Sequence, residues 1–371
     1  MNHLKEIKLF LGPQHPGMHG NASVHMYVEG DIVNKSRLVP GMLHRGFEKS
    51  MENRTWMNNI GLIPRVCVVE PDINEMCFAQ GTEVLNSIDV PEKAHYIRMI
   101  ILELARISIH MMALGGIGGP TGLYTAMYWA QADRDQILDI FEAITGHRIY
   151  HMYIVPGGVR KDLPVGIEAL IRKTLDGLEQ RLPDYDDLIF KNPTIQSRVI
   201  DNILLPAEVV WDLGVTGIGM RSATGEAYDV RKVTPYARYD QVEFDVPTAT
   251  YSDAFTRMRL KYLEVFQSIR IIRQCLDGMP EGKPNVKISR GSALKWQVKE
   301  GQVYSAVESS RGEFGYYMVS DGGTKPYRVA VRGASYPQGL LGIEKYMPGV
   351  RLDDAPLWFD TMGVCSPEID R

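Results

Sequence analysis

One stretch constrains this chain more than any other. Residues 97–119 form the longest apolar run, and it carries Arg98, Glu103, Arg106 and His110. Each charge at mid-bilayer costs ~2.5–3.5 kcal/mol on the insertion scale, so three charges and a histidine argue against a lone membrane span. The alternative is a helix buried in protein. An unpaired buried charge is destabilising by several kcal/mol, so Glu103 and Arg106 are expected to pair, with each other or with a partner group. Glu103, Arg106 and His110 fall at i, i+3 and i+7, on one helical face. That stripe reads either as a solvated or internally paired face, or as a charged strip beside a redox centre or subunit interface. The chain is expected to be soluble by itself, so a partner must bring it to any membrane.

The 371 residues are enough for a sizeable core, and 44% of them are hydrophobic, which excludes disordered and low-complexity classes. A net charge of −4 gives no basic field, so nucleic acid is not an expected partner. Four cysteines suit a reducing compartment without a disulfide framework. The opening MNHLKEIKLF is too charged for a secretion signal.

Residues 6–40 alternate as short strands around GPQHPGMHG (12–20), where three glycines and two prolines force a loop that carries His15 and His19. Helical patterns follow at Lys93–Leu114, at Asp133–Thr145 with Gly146 as C-cap, at Ile167–Leu182 stopped by Pro183, and at Asp253–Leu276 closed by Gly278 and Pro280. From about 284 the helical period stops, and strands with an Asp-Gly-Gly turn are expected. The fold class is therefore α+β: an N-terminal sheet (1–46), a central helical bundle (47–282) and a C-terminal β-rich part (283–371).

Several motifs fail. GGIGGPTG (115–122) follows a helix and lacks the Lys-Ser/Thr of a phosphate loop, so it reads as a helix-to-helix turn. HExxH, CxxC and GxSxG are absent from the sequence. His147 and His151 straddle a helix end, which favours a structural role over metal binding. Cys77 and Cys275 read as helix-packing residues. The charged segment GMLHRGFEKSMENRT (41–55) reads as a solvated helix start unless partners are found for it. Cys67-Val-Val-Glu70 and Cys365-Ser-Pro-Glu368 are two Cys-x-x-Glu motifs near opposite ends. Thiolate and carboxylate at that spacing can ligate a metal if the motifs converge, but spacing alone favours coincidence.

GPQHPGMHG, LHRGFEKSMENRT, PEKAHYIRMIILELARI, TGHRIYHMY, GGVRKDLP, YDVRK, SIRIIRQ, ESSRGEFGYYMVSDGGTKPYRV and the terminal IDR together resemble the "49-kDa" (D-type) subunit of the respiratory complex I family, in order from about residue 8 to 371. That family is similar in fold to the large subunit of nickel–iron hydrogenases, whose metals sit between two cysteine pairs. Cys67 and Cys365 fall on the terminal cysteine of each pair, and Glu70 and Glu368 on the bridging one. Carboxylates replace soft bridging thiolates poorly, so the resemblance implies a vestigial site with no metal, and an active hydrogenase is not expected. Cys67 and Cys365 should lie close together if the fold follows the hydrogenase pattern, as a relic, a disulfide or a labile metal site.

The resemblance further implies that the chain binds no cofactor itself. It implies a B-type partner subunit with a 4Fe-4S cluster, C-type and ferredoxin-like I-type neighbours, and an H-type membrane subunit. The place is then the cytoplasmic side of the cell membrane, peripherally. The two subunits would enclose a cavity where a lipid-soluble acceptor is reduced, with His19 as the catalytic residue bonding its head group. His15, Met18, His19, Cys67 and Val68 would contact the acceptor. Arg45, Arg106, His110 and His151 would neighbour the cluster. Val68 stands where the family has a tyrosine, Pro120 where it has a carboxylate, and Tyr150 where it has a histidine. These departures point to the archaeal branch, in which reduced coenzyme F-420 is the donor and methanophenazine the acceptor. A membrane-bound sulfane reductase and a quinone enzyme using NAD(P)H are the next relatives, and a pure scaffold is a competing class.

Overall fold

The computed structural model describes residues 6–15, 21–288 and 295–371. Strands β1 (Ile7–Leu11), β2 (Ser23–Glu29) and β3 (Ile32–Val39) form an antiparallel sheet in sequence order. Val24, Met26 and Val28 alternate into the core from β2, the period-two pattern of a half-buried strand.

The helices that matter for the site are α1 (Phe47–Asn53), α2 (Pro71–Asn86), α3 (Glu92–Gly116), α4 (Tyr124–Thr145), α5 (Ile167–Tyr185), α6 (Gly217–Thr224) and α7 (Ala254–Gly278). Helix α3 is the central one and packs along α7 and α4. It is long and apolar enough to cross a bilayer, but 89% of its most apolar window is buried inside the protein. Its apolar residues face other helices on all sides, as expected of a core helix.

Two helix boundaries differ from expectation. Helix α4 begins at Tyr124 rather than Asp133, because exposed Tyr124, Tyr128 and Trp129 blur the amphipathic pattern of its first turns. Helix α5 continues through Pro183 to Tyr185. The Tyr185 hydroxyl, buried, donates to Asp133 at 2.5 Å, and this tertiary anchor outweighs the backbone bond that a proline removes. Gly146 caps α4 with φ of 85°, as expected.

The C-terminal sheet is also antiparallel and in sequence order: β4 (Gly301–Ser309), β5 (Gly312–Ser320) and β6 (Arg328–Arg332). Ser309 pairs with Gly312, so Ser310 and Arg311 form the tip of a tight hairpin. Gly312 has φ of 125°, and a Cβ there would sit 2.5 Å from Thr216 Oγ1 and 2.7 Å from Gly217 N. Glycine therefore lets the hairpin tip press into the interior.

Beyond β6 the chain turns helical again, ending in α8 (Leu357–Met362) and α9 (Ser366–Asp370). These helices are too short to display a period, which is why the sequence pattern after 284 reads only as strands. The 41–55 segment is not merely a solvated helix start. The Asp370 carboxylate accepts the backbone N–H of Gly41 (2.8 Å) and Leu43 (2.7 Å), and Glu48 and Glu52 pair with Arg328.

Candidate functional site

The two Cys-x-x-Glu motifs converge. Cys67 follows the short turn Ile63–Arg65, and Glu70 is the residue from which α2 starts. Cys365 starts α9, and Glu368 lies within it. The sulfurs of Cys67 and Cys365 are 3.5 Å apart and both cysteines are free. Coincidental spacing, the better reading from sequence alone, is therefore overturned by the approach of two cysteines 298 residues apart in the chain.

The hairpin tip fills the space among these four side chains. Arg311 Nη2 lies 2.9 Å from Cys67 Sγ, 2.9 Å from Glu368 and 3.4 Å from Glu70. Glu70 also accepts the Ser310 backbone N–H (2.9 Å) and hydroxyl (2.8 Å), and Glu368 accepts the Ser335 N–H (2.7 Å). Cys67, Cys365 and Glu368 place three potential ligand atoms within 4.8 Å of one another. A metal there would compete with a guanidinium that already balances the carboxylates, so the donor set suits Arg311 better than a dication.

The thiols are not equivalent. Burial and the bond it gives to Cys365 push the Cys67 thiol well up. Accepting that bond, with Arg311 nearby, pulls Cys365 down. Arg311, which donates to Cys67 Sγ, works against the rise of that thiol.

Cys365 and Arg311 open onto a cavity of about 290 Å³, whose walls also include Val68, Ile109, His110 and Lys261. Val68 is 38% exposed. The Lys261 ammonium donates to the Asp360 carbonyl, and burial pushes its pKa down to about 7. His110 Nε2 contacts Glu264 at 2.6 Å, and Glu264 meets Arg221 at 2.5 Å. Burial lowers His110. Arg221 and His110 hold Glu264 well below the usual carboxylate range, although its burial opposes this. A neutral imidazole donating to a carboxylate follows.

The stripe on α3 is internally paired. Glu103 accepts from Arg106 (3.2 Å), Arg231 (3.1 Å), Tyr239 (2.7 Å) and Ser268 (2.6 Å). Arg106 also donates to the carbonyls of Ser309 (2.9 Å) and Glu308 (2.7 Å).

The other expected residues are dispersed. Met18 and His19 lie outside the described residues, and His15 is exposed. Arg45 is exposed, donates to the Arg65 carbonyl (2.8 Å) and lies over the Phe47 ring; Arg65 in turn covers Tyr150. His151 is buried, contacts Asp72 at 2.9 Å and stacks on Phe141. Of the four residues expected beside a cluster, Arg106, His110 and His151 are thus buried among this chain's own groups. Sequence reasoning did not single out Arg311, Ser310, Lys261 or Glu264 as site residues.

A model of the family described as "Respiratory-chain NADH dehydrogenase, 49 Kd subunit" matches residues 120–371. The chain belongs to this family. As a 49-kDa-type subunit it is 61% identical to the D-type subunit of NADH-quinone oxidoreductase from Thermosipho melanesiensis, over 99% of this chain and 100% of that protein. It is 36% identical to the D-type subunit of F(420)H(2) dehydrogenase from Methanosarcina mazei, over 99% of this chain and 98% of the relative. Among solved structures it is similar to a chain of the membrane-bound sulfane sulfur reductase, an archaeal respiratory membrane complex. The TM-score is 0.95 at 38% identity, covering 99% of this chain and 98% of that one. The 49-kDa-type chain is therefore a subunit of a complex I-like oxidoreductase, and its α+β fold is that of the family. Its relatives work within multi-subunit membrane complexes, so other subunits accompany it.

Proposed function

We propose that this subunit, with a B-type 4Fe-4S partner, walls the chamber where a lipid-soluble acceptor is reduced, and that the reduction drives ion pumping by membrane subunits. C-type and I-type subunits would complete the electron path, and an H-type subunit would dock the assembly on the cytoplasmic face. The carrying observation is the cavity beside Val68, His110 and Lys261. An acceptor that gains two electrons needs two protons, and a buried amine that titrates near neutrality is matched to that task. Quinone and methanophenazine are both accommodated by this reading; the Thermosipho relative is named for quinone and the Methanosarcina one for F(420)H(2).

His19, by family resemblance, would hold the acceptor head group. In the purified complex, His19→Ala is expected to cut acceptor reduction while donor oxidation by an artificial dye survives. Undiminished acceptor reduction would overturn the assignment, and Val68→Tyr should shift the preference between quinone and phenazine acceptors. A second reading makes the acceptor sulfane sulfur, as named for the solved neighbour; the contact between Cys67 and Cys365 favours it.

A further inference from the structure

We propose that Glu308 keeps a buried proton in reserve and yields it to Lys261, through internal water held among Arg221, Glu264 and Glu308, when an acceptor is reduced in the cavity. The inference rests on the reading above that this cavity takes the acceptor, and it names the group that reloads the amine.

Three observations carry it. The first is a count of charge. Glu103, Asp229, Glu264 and Glu308 are buried together with Arg106, Arg221 and Arg231, linked by ion pairs. Four carboxyls thus meet three guanidinium groups, and a buried charge without its counter-charge is strongly destabilising, so one carboxyl keeps a proton. The second observation says which. Glu103 accepts from four side chains, Asp229 takes both arms of Arg231, and Glu264 is bonded to His110. Glu308 Oε2 accepts only the Val230 N–H (3.1 Å), and Oε1 has no hydrogen-bond partner among the described residues. Asp229, Arg231, Tyr228 and Tyr236 bear on Glu308 from one segment, Arg221 from α6 and Arg106 from α3. Burial and the neighbouring Asp229 push its carboxyl up to about 8, against the pull of the three arginines. The third is a knot of unpartnered polar atoms. Arg221 Nε, Nη1 and Nη2, Glu264 Oε1 and Glu308 Oε1 are buried and lack hydrogen bonds among the described residues. Nη1 lies 2.5 Å from Glu264 Oε1 and Nη2 lies 3.6 Å from Glu308 Oε1, so all five surround one guanidinium. Buried polar atoms gathered in this way are where internal water is held. Water there joins Glu308 to Glu264, and Lys261 stands three positions before Glu264 on the same face of α7, in the cavity wall.

The two groups hold a proton with similar strength, Glu308 near 8 and Lys261 near 7, which is about a tenfold bias toward the carboxyl. Negative charge gained by an acceptor beside the amine reverses that bias. The O–H bond of Glu308 then breaks and an N–H bond forms on Lys261, leaving a carboxylate and an ammonium. The net charge of the set does not change in this passage. The ammonium gives its proton to the reduced acceptor and returns to the amine, and the Glu308 carboxylate is reprotonated from solvent. The electrons come from the donor by way of the iron–sulfur partner. Glu308 thereby supplies one of the two protons that a two-electron acceptor takes up.

The test uses the intact purified complex, with rates referred to donor oxidation by an artificial dye so that only assembled complex is counted. Infrared spectra of the resting complex are compared with those of Glu308→Gln, whose amide matches the shape of the protonated acid. Expected in the unmodified complex is an acid carbonyl band that shifts in heavy water and fades as pH rises through about 8. The band should be missing from the variant. Absence of any such titrating band from the unmodified complex, a measurement that needs no variant to fold, overturns the inference, as does its survival in Glu308→Gln. Reduction of a short-chain quinone should slow by about tenfold or more in Glu308→Gln at pH 7. The fall in rate that the unmodified complex shows above about pH 8 should be absent from the residual rate. An undiminished rate overturns the supply of the proton. If the resting band is present but quinone reduction is indifferent to Val68→Tyr, the assignment of the cavity to the acceptor fails while the proton on Glu308 stands.

Discussion

Two of the buried ionic clusters in this chain, one around Glu103 and one around Arg311, contrast with each other. Around Glu103, both carboxylate oxygens are occupied by Arg106, Arg231, Tyr239 and Ser268, and Arg106 is bonded on to backbone carbonyls. Around Arg311, valences are left over: Nε has no hydrogen-bond partner among the described residues, Glu368 meets the guanidinium by charge alone, and two thiols touch without a disulfide. The first cluster is closed; the second borders a cavity. A satisfied buried network locks one arrangement, whereas a partly satisfied one keeps the freedom to bind or exchange. The closed cluster therefore reads as the fastening of α3, and the open one as the place for chemistry.

The strongest way to break this contrast is Glu103→Gln. Arg106 then loses its paired carboxylate and Arg231 keeps only Asp229, although burial alone had worked to raise the Glu103 carboxyl and Arg106 and Arg231 held it low. Removing one partner of a buried ion pair costs about 3–5 kcal/mol. That is a large share of the ~5–15 kcal/mol by which a domain is stable. The expected outcome is loss of assembled complex and a markedly lower melting temperature. An unchanged melt would mean that α3 is held by apolar packing alone.

The closed cluster was legible in the sequence and the open one largely was not. Glu103 and Arg106 sit three apart on an apolar helix, so the penalty for an unpaired charge already demands their pairing. Arg311 is different. It reaches Cys67 and Cys365 only because a hairpin tip folds inward over Gly312, and no local pattern encodes that approach. The convergence of the two cysteines followed from family resemblance, not from spacing. One further signal lies in the sequence. Arg257, Lys261, Glu264 and Ser268 fall at i, i+4, i+7 and i+11 on α7, a polar stripe like that on α3, and all are buried. The strong apolar repeat on α7 masks it. The docking of residues 41–55 on Asp370 was hidden for the same reason as Arg311: the partners are more than three hundred residues apart.

A smaller effect is expected at the open cluster. Arg311→Met leaves Glu70 and Glu368 buried without their cation, and an unsatisfied charged group costs about 1–3 kcal/mol or more. Buried carboxyls left without a cation can take up protons instead of forcing the fold apart. Their folded pKa values would then rise above the unfolded ones, and the variant should lose stability as pH rises through that raised range. Denaturant unfolding at pH 5 and pH 8 checks this: the deficit against wild type should be small at pH 5 and larger at pH 8. A deficit as large as that of Glu103→Gln and indifferent to pH would show that the second cluster is as closed as the first.

The finest distinction concerns Lys261. Burial holds its amine at about 7 in the folded chain, against ~10.4 for a free lysine. Between these values the unfolded chain binds the proton and the folded chain does not, so stability rises with pH across the window and is lost as pH falls toward 7. The slope is at most ~1.4 kcal/mol per pH unit for one group. His110, Arg257, Arg311, Glu264, Asp360 and Cys365 are charged or titratable groups that bear on this amine or share its cavity. Lys261→Met should flatten the slope between pH 7.5 and 9 without lowering stability at pH 7.5. Chemical denaturation at three pH values in that range measures it. If the slope survives the substitution, the amine is protonated in the fold at these pH values. A proton donor matched to neutral pH would then be missing from the cavity, and the division between a fastening cluster and a reactive one would have to rest on the thiols alone.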